Sequence, residues 1–115
     1  MSDVTLQACV ERHLANAAWE RRLDDELSTQ HGLSWDDFIL LTVLDVAGGA
    51  PTAPELADTL SVPASRLLMR LLPLEKIGLV ERILDGGGRR VVALRPQGRR
   101  LLHEARETAA STCAH

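Results

Sequence analysis

The chain has 115 residues, 45% of them hydrophobic and 25% charged, with two cysteines and a formal net charge of −3. That length suits one domain with a single core and is short for two. No apolar run is long enough to span a bilayer, no secretory leader is visible, and two distant cysteines are no disulfide scaffold, so the expectation is a soluble protein of the reducing cytoplasm.

Between Asp3 and Leu27 there is neither proline nor glycine, and Leu6, Val10, Leu14, Ala17 and Ala18 recur at helical spacing. Trp19, Leu23 and Leu27 continue the stripe on a shifted face, so the spacing predicts one long amphipathic helix. The stripe exceeds what a small domain needs to cover its own core, which points to a partner surface. Ser28 to Gly32 reads as a polar connector. Ser34 then opens a second helix, with Asp37 completing a capping box and Leu33 stapled against Phe38. Asp36 and Asp37 lie at the positive end of its dipole and are read as serving it there, not as a catalytic pair. The helix runs through Val46 until Gly48-Gly49-Ala50-Pro51 ends it.

Thr52 with Glu55 forms a second capping box, and Pro54 falls in the first turn, where its missing N–H costs nothing. These signals predict a third helix over Ala53 to Leu60. Ser61 is expected to cap a fourth, from about Val62 to Ile77, with Pro63 in its first turn and Gly78 as the left-handed residue that ends it. On this helix Leu67, Leu71 and Leu74, with Leu68 alongside, are expected to face inward, and Ser65, Arg66, Met69, Arg70 and Pro73 outward. Pro73 predicts a kink.

Leu79 to Leu84 and Arg89 to Leu94 suit a short hairpin around Asp85-Gly86-Gly87-Gly88. The three glycines are no phosphate-binding loop, since no Lys-Ser/Thr follows and no parallel sheet surrounds them. A last helix is expected from Pro96 to Cys113. Arg95 gives it no side-chain cap, and Arg99 and Arg100 stand at the unfavourable end of its dipole. Its Leu101, Leu102, Ala105 and Ala109 can pack against residues 4–27. The fold class is therefore mainly α with a small β-hairpin wing: a winged helix-turn-helix over 33–94, flanked by terminal helices 1–30 and 96–115, in a single domain 1–115.

The run Glu55-Leu56-Ala57, then Leu74-Glu75-Lys76-Ile77-Gly78-Leu79-Val80-Glu81-Arg82, Gly88-Arg89-Arg90 and Leu94-Arg95-Pro96-Gln97-Gly98, resembles the MarR family of transcriptional regulators. Leu33-Ser34-Trp35-Asp36-Asp37-Phe38-Ile39-Leu40-Leu41 resembles the helix which that family places before its reading unit. The resemblance implies a homodimeric DNA-binding regulator whose terminal helices form the dimer interface, here Leu6, Val10, Leu14, Leu101 and Ala105. It also implies release from DNA by a small aromatic effector or by thiol oxidation, with a ligand pocket between the dimer helices and the reading domain. The sequence departs from the family's pattern in places. Leu68 and Met69 stand where Thr and Arg are frequent, Gly88 where an Asp pins the wing, and Arg95 where a Thr caps the last helix. The wing and the C-terminal segment are also shorter than usual.

In a winged helix-turn-helix the outer face of the second helix enters the major groove, N-terminal residues first. Arg66 and Arg70 can meet phosphate or guanine there, Ser65 a phosphate or base edge, and Met69 lies between them. Arg89 and Arg90, beside the wing tip, suit a narrow minor groove. Charge distribution agrees with this placement. Residues 1–60 carry three arginines against eleven acids, a net of −8; residues 61–100 carry nine Lys/Arg against three acids, a net of +6; the last fifteen add −1. Counterion release depends on that local field.

Cys9 and Cys113 lie on the two terminal helices, where a dimer could pair them, but no tyrosine is present of the kind that peroxide-sensing relatives use. A buried, inert Cys9 and a Cys113 in a frayed tail are the simpler expectation. His13, His31, His103 and His115 show no metal-ligand spacing, and no cofactor is expected. No nucleophile–base pairing or cofactor fingerprint supports an enzyme. The sequence thus reads as a DNA-binding regulator, a homodimeric repressor on a pseudo-palindromic operator. The alternative is a winged-helix interaction module, such as a heterodimer partner or antirepressor-like subunit, that has lost DNA reading. Leu68, Met69, Pro73, Gly88 and the short C-terminal segment are its grounds.

Overall fold

The structure, a computed structural model, describes residues 3–114. Met1, Ser2 and His115, at the ends of the expected dimerisation segments, lie outside the described residues. The element order is α1 (Asp3–His31), α2 (Trp35–Val46), α3 (Ala53–Leu60), α4 (Ala64–Lys76), β1 (Val80–Leu84), β2 (Arg90–Leu94) and α5 (Pro96–Cys113). β1 and β2 pair antiparallel, Val80 opposite Leu94 and Leu84 opposite Arg90. Among the described residues no helix is long and apolar enough to cross a membrane.

One cluster of apolar side chains joins these elements. Leu40 and Leu41 of α2, Leu56 of α3, Leu67 and Leu71 of α4, and Val80 and Val92 of the hairpin are all buried in it. Leu23 and Leu27 of α1 and Leu102, Ala105 and Ala109 of α5 extend it, the two alanines letting the terminal helices approach closely. At its edge Trp35 stacks on Phe38 (centroids 5.6 Å apart) and meets Trp19 edge-on at 5.5 Å, geometries that ring quadrupoles favour.

The local signals explain most helix ends. Ser34 Oγ accepts the Asp37 N–H (3.0 Å), and Asp24 of α1 adds a second acceptor for the Trp35 N–H at 2.8 Å. Burial, more than any other cause, raises the Asp37 carboxyl above its usual pKa, against the lowering effect of its bond to Ser34. Thr52 Oγ1 accepts the Glu55 N–H at 3.3 Å and donates its own proton to the Glu55 carboxylate, closing that box side chain to side chain. Gly78 takes φ +83°, and the Leu79 N–H returns to Leu74 O.

Ser61 is not the cap of α4. It ends α3 in the left-handed region (φ 55°, ψ 45°), with the Val62 N–H bonded back to Ala57 O. The reason is Pro63, which holds Val62 out of the helical region and delays α4 to Ala64, beyond the reach of the Ser61 hydroxyl. Pro63 is therefore the N-cap residue, without a side-chain acceptor, and not part of the first turn. The helix passes through Pro73 to Lys76. Leu68 also departs from expectation. It is exposed, because the buried face of α4 is only as wide as Leu67, Leu71 and Leu74.

The wing tip is a three-residue loop. The Asp85 N–H bonds to Arg89 O (2.8 Å), the Gly88 N–H to Asp85 O (3.0 Å), and Gly88 takes φ +80°. That is a turn closed by a left-handed bulge residue, and only this one of the three glycines has positive φ. Asp85 Oδ1 accepts the N–H groups of Arg89 and Gly87, each at 2.9 Å. These donors, Arg89 first, hold its carboxyl below the usual carboxylate range. Gly88→Ala is expected to cost about 1 kcal/mol, because an L side chain must enter the left-handed region. Gly86→Ala meets nothing within 4 Å and is expected to be near neutral. Denaturant titration of both variants checks the difference.

The first half of α1 stands apart. Every residue from Asp3 to Ala18 is exposed, including Val4, Leu6, Val10 and Leu14, and burial begins only around Trp19. The radius of gyration is 16.2 Å, against about 13 Å for a compact chain of this length. Cys9 and Cys113 are both exposed, so the expectation of a buried Cys9 is wrong: its helix segment has no core to enter. Ala105, expected at a partner surface, has no accessible surface because it packs inside the chain's own α1–α5 contact, and Leu101 is half-buried against the same core.

Candidate nucleic-acid interface

The helix-turn-helix pair α3–α4 is fixed by its leucines. Burying Leu67, Leu71 and Leu74 turns Ser65, Arg66 and Met69 outward, and all three are exposed. With no cap at Pro63, the first-turn N–H groups of Ala64 and Ser65 have no side-chain acceptor, and the positive end of the α4 dipole faces out. Arg66 makes no ion pair among the described residues. Arg70, expected beside it, is rotated further round the helix and meets Asp36 at 3.5 Å.

The two wing arginines separate. Arg89 pairs with Glu55, drawing the wing tip towards the start of α3. Arg90 remains exposed and without an ion pair among the described residues, lining a hollow of about 470 Å³ with Arg82, Ile83, Val91 and Ala53. Arg82 is held in that hollow by Glu75, at 2.5 Å. Below the wing, Val92 N–H bonds to Pro51 O (2.8 Å) and Arg95 N–H to Leu79 O (2.9 Å), tying the hairpin to the body.

Intramolecular pairing therefore divides the basic residues of 61–100. Arg70, Arg82, Arg89 and Arg99 each face a carboxylate, whereas Arg66, Lys76, Arg90, Arg95 and Arg100 are exposed and have none among the described residues. Arg99 does not await a phosphate to offset the α5 dipole. Asp45 at the end of α2 meets it at 3.4 Å and meets Arg106 at 2.5 Å. Such exposed pairs are worth about 0–1 kcal/mol, so Arg70 and Arg89 can exchange partners at small cost. Sequence reasoning missed Leu72, which is half exposed on the outward side of α4. Its spacing from Ser65 and Met69 was the available signal. No cluster of three or more His, Cys, Asp or Glu side chains among the described residues could hold a metal ion.

No family model matches this sequence, and no curated protein does. Solved structures do. Sco3205 of Streptomyces coelicolor, a MarR family transcriptional regulator in complex with DNA, superposes with a TM-score of 0.86 at 21% identity, over 98% of this chain and 73% of that one. CouR of Rhodococcus jostii RHA1, bound to p-coumaroyl-CoA, gives 0.79 at 22% identity, over 87% and 71%. The transcriptional regulator PA3341 gives 0.74 at 30% identity, over 98% and 80%. The chain has the MarR-type winged helix-turn-helix fold. Within the MarR-type fold, α3 and α4 are the helix-turn-helix, β1 and β2 the wing, and α1 and α5 the terminal helices packed side by side.

Proposed function

We propose that this chain is a homodimeric repressor that binds a pseudo-palindromic operator in double-stranded DNA, with α4 in the major groove and the wing at the flanking minor groove. The observation that carries the reading is the exposed first half of α4. Ser65, Arg66 and the uncapped first turn stand free on the same element whose opposite face is locked into the core. The DNA complex of Sco3205, in the same fold, supports it. Dimerisation is supported by α1, since an isolated helix of the length of residues 3–18 is marginal in water and this one carries exposed Leu6, Val10 and Leu14. Among the dimer-interface residues expected from the sequence, these three and the half-buried Leu101 keep that role. A small aromatic effector belongs to this reading, and the p-coumaroyl-CoA complex of CouR supports it.

Fluorescence anisotropy across several salt concentrations tests the proposal. The wild type is expected to bind DNA from upstream of its own gene more tightly than random duplex, with steep weakening in salt. Arg66→Ala is expected to cost about 1–3 kcal/mol and Arg90→Ala to lower the salt slope by about one per protomer. A folded protein that ignores DNA at low salt would overturn the reading. It would favour instead an interaction module that uses the apolar α4 surface of Leu68, Met69 and Leu72.

A further inference from the structure

The centre of the outward face of α4 is apolar. At about 100° per residue, Met69 and Leu72 lie within about 40° of Ser65 and Leu68 within about 60°, while Leu67, Leu71 and Leu74 point the opposite way. Met69 is 74% exposed, Leu72 50% and Leu68 43%. None of the three can pair with a base edge through a hydrogen bond. On this face that leaves Ser65 and, three turns on, Lys76, with Arg66 on the flank.

Charge decides what covers these side chains. Arg66 and Lys76 border them and make no ion pair among the described residues, and the α4 N-terminus adds positive potential. That border fits a polyanion whose groove floor carries apolar groups. The C5-methyl of a pyrimidine is the one apolar group that base pairs present in the major groove. We propose that α4 reads C5-methyl pyrimidines, with Leu68, Met69 and Leu72 packed on the methyl groups of thymine or 5-methylcytosine. The inference rests on the DNA-binding reading above and adds the chemical class of its operator.

The test uses the full chain. Duplexes selected from a random library are compared with the same sequences carrying deoxyuridine for thymine, one position at a time, by fluorescence anisotropy at fixed salt. Uracil pairs as thymine does and lacks only the methyl. Uracil at one or more positions in each half-site is expected to weaken binding roughly fourfold, the value of one buried methyl. Met69→Ala with Leu72→Ala, both exposed, is expected to lower affinity and bring the thymine-to-uracil ratio to about one. A second arm repeats the comparison with 5-methylcytosine for cytosine. A roughly fourfold gain at a cytosine position, lost in the double variant, assigns the modified base as a source of the methyl. Tight binding indifferent to every methyl overturns the inference and leaves the DNA-binding reading standing. Discrimination that persists in the double variant also overturns it, because the methyl is then read elsewhere. If no duplex is bound in a salt-dependent way, the DNA-binding reading fails, and this inference with it.

Discussion

Val10→Glu combined with Leu14→Glu is expected to give a monomer whose first helix is largely lost. Residues 3–18 touch too little of their own chain to be held by it. Helix nucleation is costly, and a segment of this length with only local hydrogen bonds is marginal in water. On the dimer reading a partner surface covers Leu6, Val10 and Leu14 and holds this segment helical, and two carboxylates in that surface would be buried unpaired. Sedimentation is expected to show the mass halved. Ellipticity at 222 nm is expected to fall by about a fifth, the share of helix that residues 3–18 supply. Affinity for a two-half-site operator is expected to drop by about a hundredfold or more, since the second half-site is no longer tethered to the first. A variant that keeps the wild-type mass, or a wild type that is itself monomeric with α1 intact, would overturn the dimer assignment.

Gly98→Ala is expected to be the most destabilising single-methyl change in the chain. A Cβ at Gly98 would lie 2.2 Å from Leu79 O and 2.8 Å from Leu94 Cδ1. The first of these is backbone, already engaged by the Arg95 N–H, so it cannot rotate aside. Either α5 lifts from the foot of the hairpin or β1 shifts, and overpacking of this kind costs about 1–3 kcal/mol, here towards the upper end. Thermal melts at one fixed protomer concentration check it, because the midpoint of a dimer would depend on concentration. Gly49→Ala is the comparison: nothing lies within 4 Å of the added carbon, and a change within about 0.5 kcal/mol is expected. The displaced hairpin also carries Arg90, so Gly98→Ala is expected to weaken DNA binding beyond its effect on stability.

Several boundaries were legible because they are written in short-range chemistry. The Thr52 and Ser34 caps, Pro54 and Pro96 in first turns, and Gly78 in the left-handed region each act within a few residues. The expected spans of α3 and α5 accordingly match those observed. Ser61 was misread by the same kind of rule, because two signals competed. Its hydroxyl favours a cap, but the geometry that Pro63 imposes wins, since a steric constraint outweighs one hydrogen bond. Leu68 and Leu72 were misjudged or missed because helical spacing gives the direction of a side chain and not the width of the core that receives it. Cys9 and Ala105 were reversed for a related reason: composition describes α1 and α5 well but does not show how much of α1 runs beyond α5.

The residues alone determined the element types, most of their ends, the helix-turn-helix pair α3–α4 and the concentration of basic charge around it. These follow from backbone sterics, capping and periodicity, which act between near neighbours. Only the tertiary structure decided which cations remain available. Glu55, Asp36, Glu75 and Asp45 reach Arg89, Arg70, Arg82 and Arg99 from other elements, and Arg66 and Arg90 are left exposed. It alone also set Gly98 against the Leu79 carbonyl and left the first half of α1 without a covering surface. Each of these depends on distances between segments far apart in the chain, and no local rule carries that information.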